Sequence, residues 1–291
     1  MTREPQTNSL TTDGAEIVHD VRGPLPTEDG RAPLVMIGSP MDAAGFATLA
    51  DLMDDRTVVT YDPRGLGRSS RSDGAVDQRP DVQAADLHAL VSHLGVGPVD
   101  VFASSGGAVA ALAWGTAYPG DLATVVAHEP PLITVLPDAA AASRAFDQVR
   151  KAYADKGFGA GMAGFIHMTS WEGEFTDGYF ATPLPDPAAY GMPAEDDGSR
   201  EDPLLSERSR PVGEYELDVE AVRAMGDRLR VAVGEESAGT FTDRTSRGLA
   251  TALGTEVVVF PSHHGGFAGP ENGYPGQPEA FAERLREVLI S

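Results

Sequence analysis

Six short apolar runs rich in β-branched residues, at 32–37, 56–61, 98–103, 122–127, 229–233 and 255–260, are separated by stretches long enough for a helix and its loops. Parallel strands cannot be joined by a hairpin, and strands covered on both faces are apolar throughout rather than alternating, so this rhythm dictates a parallel sheet with crossover helices. Ahead of these runs, 9–21 alternates apolar and polar residues around Asp13-Gly14, the pattern of an antiparallel hairpin at a sheet edge. An α/β chain with about eight mostly parallel strands is expected.

The crossovers are legible in places. In 81–94, Leu87, Leu90, Val91 and Leu94 share one helical face, and Phe281, Leu285, Val288 and Leu289 do the same in 278–290. The stretch 106–117 is apolar on nearly every side, which predicts a helix buried in the middle of the molecule. Between Pro130 and Pro211 the strand rhythm stops, and Ala, Gly, Pro and acids dominate with scattered aromatic residues. That length without sheet signal predicts a helical cap at 131–211 inserted into a core of 1–130 and 212–291, with 181–211 as an irregular excursion.

Composition narrows the partners. Asp and Glu number 44 against 22 Lys and Arg, a net charge of −22 that repels nucleic-acid phosphates and anionic lipid headgroups. Cysteine is absent, which removes disulfides, thiolate metal sites and a cysteine nucleophile together. The first thirty residues lack the apolar core of a signal peptide, and no run approaches the ~18 apolar residues of a membrane span. A cytoplasmic protein is expected, without nucleic-acid or membrane partners.

The most informative stretch is 99–108, where a β-run meets the buried helix through Ala103-Ser104-Ser105-Gly106-Gly107. A serine on a sharp strand-to-helix turn needs neighbours without bulk two positions to either side, and Ala103 and Gly107 supply them around Ser105. Such a turn lifts the hydroxyl above the sheet and aims the helix's first N–H groups at the same point. Alone, the five residues read equally well as a Ser/Gly-rich helix cap.

Three further segments change that balance, and with them the chain resembles the α/β-hydrolase family over nearly its whole length outside the cap. Ala-Ser-Ser-Gly-Gly is similar to the nucleophile elbow G-x-S-x-G, with Ala103 for the first glycine. Leu34–Ile37 followed by Gly38-Ser39-Pro40 resembles the strand and His-Gly-x-Pro loop of the family, although Ile37 stands where the histidine usually is. Asp62-Pro63-Arg64-Gly65-Leu66-Gly67-Arg68-Ser69 matches D-x-R-G-x-G-x-S, and His264-Gly265-Gly266-Phe267 resembles the terminal histidine loop.

A serine hydroxyl needs a base within reach, itself oriented by a carboxylate. Only His263 and His264 follow the last sheet strand, at the carboxyl edge where open α/β sheets place their sites. Neighbours on an extended segment point opposite ways, so one of the pair serves at most, and the family's histidine–glycine–aromatic spacing selects His264. The acid has two candidates. In most of the family it follows the strand at 229–233, but Gly234-Glu235-Glu236-Ser237 places serine where that aspartate would stand, leaving Glu236 one position earlier. Glu129, in Ala127-His128-Glu129-Pro130-Pro131, is the other. The Ser-Ser-Gly elbow followed by Tyr-Pro and His-Glu-x-Pro resembles the zearalenone lactone hydrolases, whose acid is that glutamate, and Glu129 is preferred on that basis.

The resemblance implies an oxyanion hole of two backbone N–H groups, Gly106 and Ser39, with Met41 the alternative if the alignment slips by one; Pro40 has no N–H to give. Asp62 and Arg64 are expected to pin the adjacent loop. Met41, Ser104 and Trp171 are expected to contact substrate, Trp171 belonging to an aromatic cluster with Phe175, Tyr179 and Phe180 that serves equally well as cap core. Gly159–Gly164 satisfies G-x-G-x-x-G but follows a helical stretch rather than a strand, so no dinucleotide is expected. His263-His264 lacks the spacing and partners of a metal site, and neither metal nor cofactor is expected. These readings converge on a cofactor-independent serine hydrolase cleaving an ester or lactone of a small neutral, largely apolar molecule. Carbon–carbon bond hydrolysis, perhydrolysis, a cyclase or isomerase, and a non-hydrolytic ligand-binding protein are the alternatives on the same fold.

Overall fold

A computed structural model of the chain describes residues 4–193, 195–270 and 273–290. One sheet organises them, with strands β1 (Gln6–Thr12), β2 (Ala15–Arg22), β3 (Leu34–Ile37), β4 (Val58–Tyr61), β5 (Ser70–Arg71), β6 (Val99–Ser104), β7 (Leu122–His128), β8 (Leu229–Gly234) and β9 (Val258–Phe260). The order across the sheet is β1-β2-β4-β3-β6-β7-β8-β9, with β5 beside β2. The β1–β2 hairpin is antiparallel and turns at Asp13-Gly14 between the paired Thr12 and Ala15, where Gly14 has φ +73°. β2 also pairs antiparallel with β4 and β5, and across the sheet from β4 to β9 every pairing is parallel. The two-residue β5 is the strand the sequence rhythm does not reveal, being too short to carry a pattern.

The helices are α1 (Ala47–Leu52), α2 (Pro80–Leu94), α3 (Gly106–Ala117), α4 (Ala139–Lys156), α5 (Phe158–Thr169), α6 (Asp177–Ala181), α7 (Arg210–Gly213), α8 (Val219–Arg223), α9 (Phe241–Leu253) and α10 (Pro278–Ile290). On one face of the sheet, α2 and α3 bury Leu87, Leu90, Leu112 and Trp114 against Val35, Val101 and Val125. On the other, α1 and α10 bury Leu49, Phe281 and Leu285 against Met36, Phe102 and Val126. Every residue of α3 from Gly106 to Gly115 is buried, as its all-round apolar sequence predicts.

Between β7 and β8 the chain leaves the sheet for α4 to α8. Ile133, Val149, Tyr153, Met168, Phe175, Tyr179 and Leu205 form a separate core there, joined by Phe241 of α9. The glycines of 159–164 lie within α5, where Gly161 is packed against Tyr153 and has no loop to shape around a phosphate. Among the described residues, no helix is long and apolar enough to cross a membrane.

Candidate active site

β6 ends at Ser104, and Ser105 turns the chain into α3 with φ 57° and ψ −131°, a left-handed conformation that costs a non-glycine residue about 1–3 kcal/mol. The neighbouring strand holds it there, since the Ser105 N–H donates to the His128 carbonyl at 3.0 Å. The small flanking residues are a steric requirement. A Cβ on Gly107 would stand 2.3 Å from the Ile37 carbonyl oxygen, and one on Gly106 would stand 2.5 Å from that of Ser39. The elbow therefore lies directly against the loop that follows β3.

That contact sets Gly106 beside Ser39. Gly106 is the first residue of α3, so its N–H has no intrahelical acceptor. Ser39 is buried alongside it, and Gln83 Nε2 donates to Ser39 Oγ at 3.3 Å. Met41 lines the same space, while Gly38 and Gly45 pack tightly on its side chain.

Glu129 is the first residue beyond β7 and has φ 49°. Its N–H donates to the Ala232 carbonyl at 2.9 Å, which fixes it beside β8. The carboxylate is fully buried and fully engaged. Oε1 accepts the Gly234 N–H at 2.8 Å, and Oε2 accepts the Thr242 hydroxyl at 2.6 Å and faces His264 Nδ1 at 2.5 Å. Burial by itself would raise the carboxyl's pKa, but the hydrogen bond and charge of His264, with the nearby His128 and the Thr242 hydroxyl, hold it well below the ordinary carboxylate range. Glu129 is thus ionised, and its bond to Nδ1 leaves Nε2 as the imidazole's free nitrogen.

His264 sits on the loop after β9, which the Ser262 carbonyl ties to the Glu236 N–H at 3.0 Å and the His263 carbonyl to the Gly266 N–H at 2.8 Å. His263 also borders the cavity but bonds elsewhere. Its Nδ1 accepts the Gly265 N–H at 3.0 Å, and its ring stacks on Tyr274 with centroids 4.5 Å apart. Of the two candidate acids, only Glu129 reaches the imidazole; the Glu236 carboxylate is taken instead by Gln277 Nε2 at 3.2 Å.

Ser105, Ser104, Ser39, Gly106, Met41 and His264 all line one cavity of about 640 Å³, and Glu236 lines it too. Its far wall comes from Phe146, Phe165, Ile166, Leu204, Val212 and Phe241. Trp171 is absent from the lining. Its indole N–H donates to the Glu174 carbonyl at 3.1 Å and its ring meets Tyr179 edge-on at 5.2 Å, so the structure assigns it to the core of the 131–211 segment instead. Asp62 and Arg64 also lie outside the lining: Asp62 accepts the Ala43 and Arg68 N–H groups, and Arg64 grips Asp86 at 2.7 and 2.6 Å.

A family model described as the alpha/beta hydrolase fold matches residues 37–157, the segment from the loop after β3 through the elbow to α4. The chain has the α/β-hydrolase fold. The uncharacterized hydrolase YraK of Bacillus subtilis strain 168 is 28% identical over 290 residues, covering 97% of this chain and 95% of its own. A thermophilic esterase from Thermogutta terrifontis superposes with a TM-score of 0.65 at 20% identity, over 98% of both chains. An esterase from Exiguobacterium antarcticum gives a TM-score of 0.65 at 15% identity, over 98% of this chain and 100% of its own. At those identities the likeness to the solved structures is one of fold. The α/β-hydrolase sheet order accounts for the placing of the three motifs, since Ser105, Glu129 and the His264 loop follow the carboxyl ends of β6, β7 and β9.

Sequence reasoning missed Thr242 and Gly234 as donors to Glu129, because the sequence carries no mark that a threonine opening α9 will face a carboxylate 113 positions earlier. It also missed His128, fully buried among Phe102, Phe260, Phe267 and Phe281, with Nδ1 3.3 Å from Ser104 Oγ and its ring 6.1 Å from that of His264. Burial pushes that imidazole down to about 4, so it is neutral at physiological pH.

Proposed function

We propose that the protein is a cofactor-independent serine hydrolase that cleaves a carboxylic ester or lactone through an acyl-enzyme. The buried, ionised Glu129 on His264 Nδ1 carries this reading, because it leaves Nε2 as the base in a cavity that also holds Ser105. Ser105 Oγ attacks the substrate carbonyl as Nε2 takes its proton. The oxyanion forms toward the Ser39 and Gly106 N–H groups, preorganised donors that need no rearrangement as charge develops. His264 returns the proton to the departing alkoxide, then activates water to release the acid. In a lactone the alkoxide stays tethered to the acyl chain, and the resemblance of the His-Glu-x-Pro segment to lactone hydrolases favours that substrate within the class.

In this reading residues 131–211 form a cap over a core of 1–130 and 212–291, which supplies the apolar wall for the acyl or alcohol group. The similar proteins, a hydrolase and two esterases, agree with it. The test is fluorophosphonate labelling together with turnover of p-nitrophenyl esters and a lactone panel by wild type and Ser105→Ala. Labelling and turnover that vanish in Ser105→Ala are expected; activity that survives the substitution overturns the mechanism.

A further inference from the structure

Among the described residues that line the cavity, Arg150 is the single arginine or lysine, and its side chain is only 6% exposed. It rises from α4 one turn after Phe146, whose ring it overlies at 5.5 Å. A guanidinium has five N–H bonds to place. Here Nη1 donates to Asp147 Oδ1 at 3.2 Å, an oxygen that Arg210 Nη2 already holds at 2.8 Å. Nε is buried without a partner, and Nη2 donates to no described residue. Burial and the charge of Arg210 lower the guanidinium's pKa against the opposing charges of Glu207, Asp147 and Glu214, yet arginine keeps its proton in proteins. A desolvated cation with most of its donors unspent is costly unless an acceptor reaches it.

The cavity lining offers a second donor. Gln78 lines the cavity, its carboxamide oxygen accepts Gln83 Nε2 at 3.2 Å, and its own amide nitrogen donates to no described residue. The Gln78 backbone N–H bonds to the Arg208 carbonyl at 2.8 Å, which ties it to the segment entering α7. In α7, Arg210 shares Asp147 with Arg150, and two residues on, Val212 Cγ1 stands 3.1 Å from where a Gly106 Cβ would be. One helical turn therefore connects the oxyanion-hole glycine to the guanidinium.

We propose that Arg150, assisted by Gln78, forms an anion subsite at the cap-side end of the cavity, and that the substrate is an ester or lactone bearing a second, free carboxylate. This deepens the acyl-transfer reading above and rests on it for the word substrate. It also replaces the neutral substrate expected from the net charge. The −22 field acts at long range and is screened over about 8 Å at physiological salt, so it does not decide what a buried arginine binds.

The test compares mono-p-nitrophenyl glutarate with p-nitrophenyl pentanoate, acyl chains alike except for the terminal carboxylate. Wild type is expected to favour the glutarate in kcat/KM by roughly ten- to hundredfold, the range for a charged hydrogen bond. The ratio should fall to about one in Arg150→Met and lie between the two in Arg150→Lys, which keeps the charge without the fork. Binding is read separately by calorimetry on Ser105→Ala with monomethyl glutarate and dimethyl glutarate, of which only the monoester should bind tightly. Turnover without preference for the glutarate, or the same preference in a folded Arg150→Met or Arg150→Lys protein, overturns the subsite. If neither ester is turned over and Ser105→Ala still binds the monoester selectively, the hydrolase reading fails while the subsite stands.

Discussion

Ser105 and Glu129 occupy the same station on neighbouring strands: each is the first residue past its strand, and each is held at positive φ, 57° and 49°. Each also donates its N–H to the next strand over, Ser105 to the His128 carbonyl and Glu129 to the Ala232 carbonyl. The sheet thus sets two strained residues side by side at its carboxyl edge, and the ladder hydrogen bonds rather than the loops resist the strain. In the proposed mechanism a nucleophile and an acid placed this way keep their separation without help from the 131–211 segment.

Because Glu129 faces His264 and Glu236 faces Gln277, the two substitutions should separate cleanly. Glu129→Gln keeps the volume but presents a neutral amide to Nδ1, and should lower kcat by about 10²–10⁴-fold with little change in KM. Glu236→Gln should stay close to wild type. Steady-state kinetics on one p-nitrophenyl ester decides between them, and the reverse pattern would assign the acid to Glu236.

Gly106→Ala tests the oxyanion hole through packing. The new methyl would lie 2.5 Å from the Ser39 carbonyl oxygen and 3.1 Å from Val212, so backbone must move where Gly106 meets Ser39. A loss of about 10–10³-fold in kcat is expected, comparable to losing one donor of the proposed oxyanion hole, with a stability cost of about 1–3 kcal/mol. Wild-type kcat in the folded variant would place the oxyanion elsewhere.

Arg64 acts at a distance from the chemistry. It is 5% exposed, holds Asp86 with two bonds and Asp73 with a third, and lines no part of the cavity. Arg64→Met leaves Asp86 buried with only the Thr12 hydroxyl at 3.1 Å, and should cost about 3–5 kcal/mol in urea unfolding. Turnover per folded molecule should be preserved, and a specific loss of kcat/KM at full stability would instead put Arg64 on the substrate.

What the sequence made legible follows from how local each signal is. The parallel strands and the elbow are written in contiguous residues, because β-branched runs and a small-Ser-small turn are local demands. Ser105 and His264 follow from order along the chain. The choice between Glu129 and Glu236 did not, since both follow strands at the carboxyl edge of the sheet, and only the Gly234 and Thr242 donors, far away in sequence, show which carboxylate is received. Trp171 was misjudged for the same reason: an aromatic cluster in a helical insertion fits core and pocket equally until packing is known. Arg150 left no signal, one arginine among many whose link to Arg210 of α7 through Asp147 is invisible in the sequence.

The buried His128 gives a pH dependence of stability whose sign is fixed. Its imidazole is depressed to about 4 from an ordinary value of 6.5 by burial, so between those limits the unfolded chain accepts a proton that the folded one refuses. Above pH 6.5 both states are neutral there and the group contributes nothing. As pH falls toward 4, stability should drop by about 1.4 kcal/mol per unit, a loss of the order of 3 kcal/mol that stops growing once the folded state is protonated too. Glu129, whose folded value is depressed, adds its own loss only at lower pH, below the ordinary glutamate value of 4.5. His19 is also depressed by burial, so the wild-type slope alone does not isolate His128. His128→Phe does, because phenylalanine suits the aromatic cage, cannot titrate, and strands only the Ser104 hydroxyl, a cost independent of pH in this range. Urea unfolding of both proteins at pH 7.5, 6.0 and 5.0 should show the wild type losing stability faster than His128→Phe on acidification, and parallel curves would mean that His128 takes its proton inside the folded core.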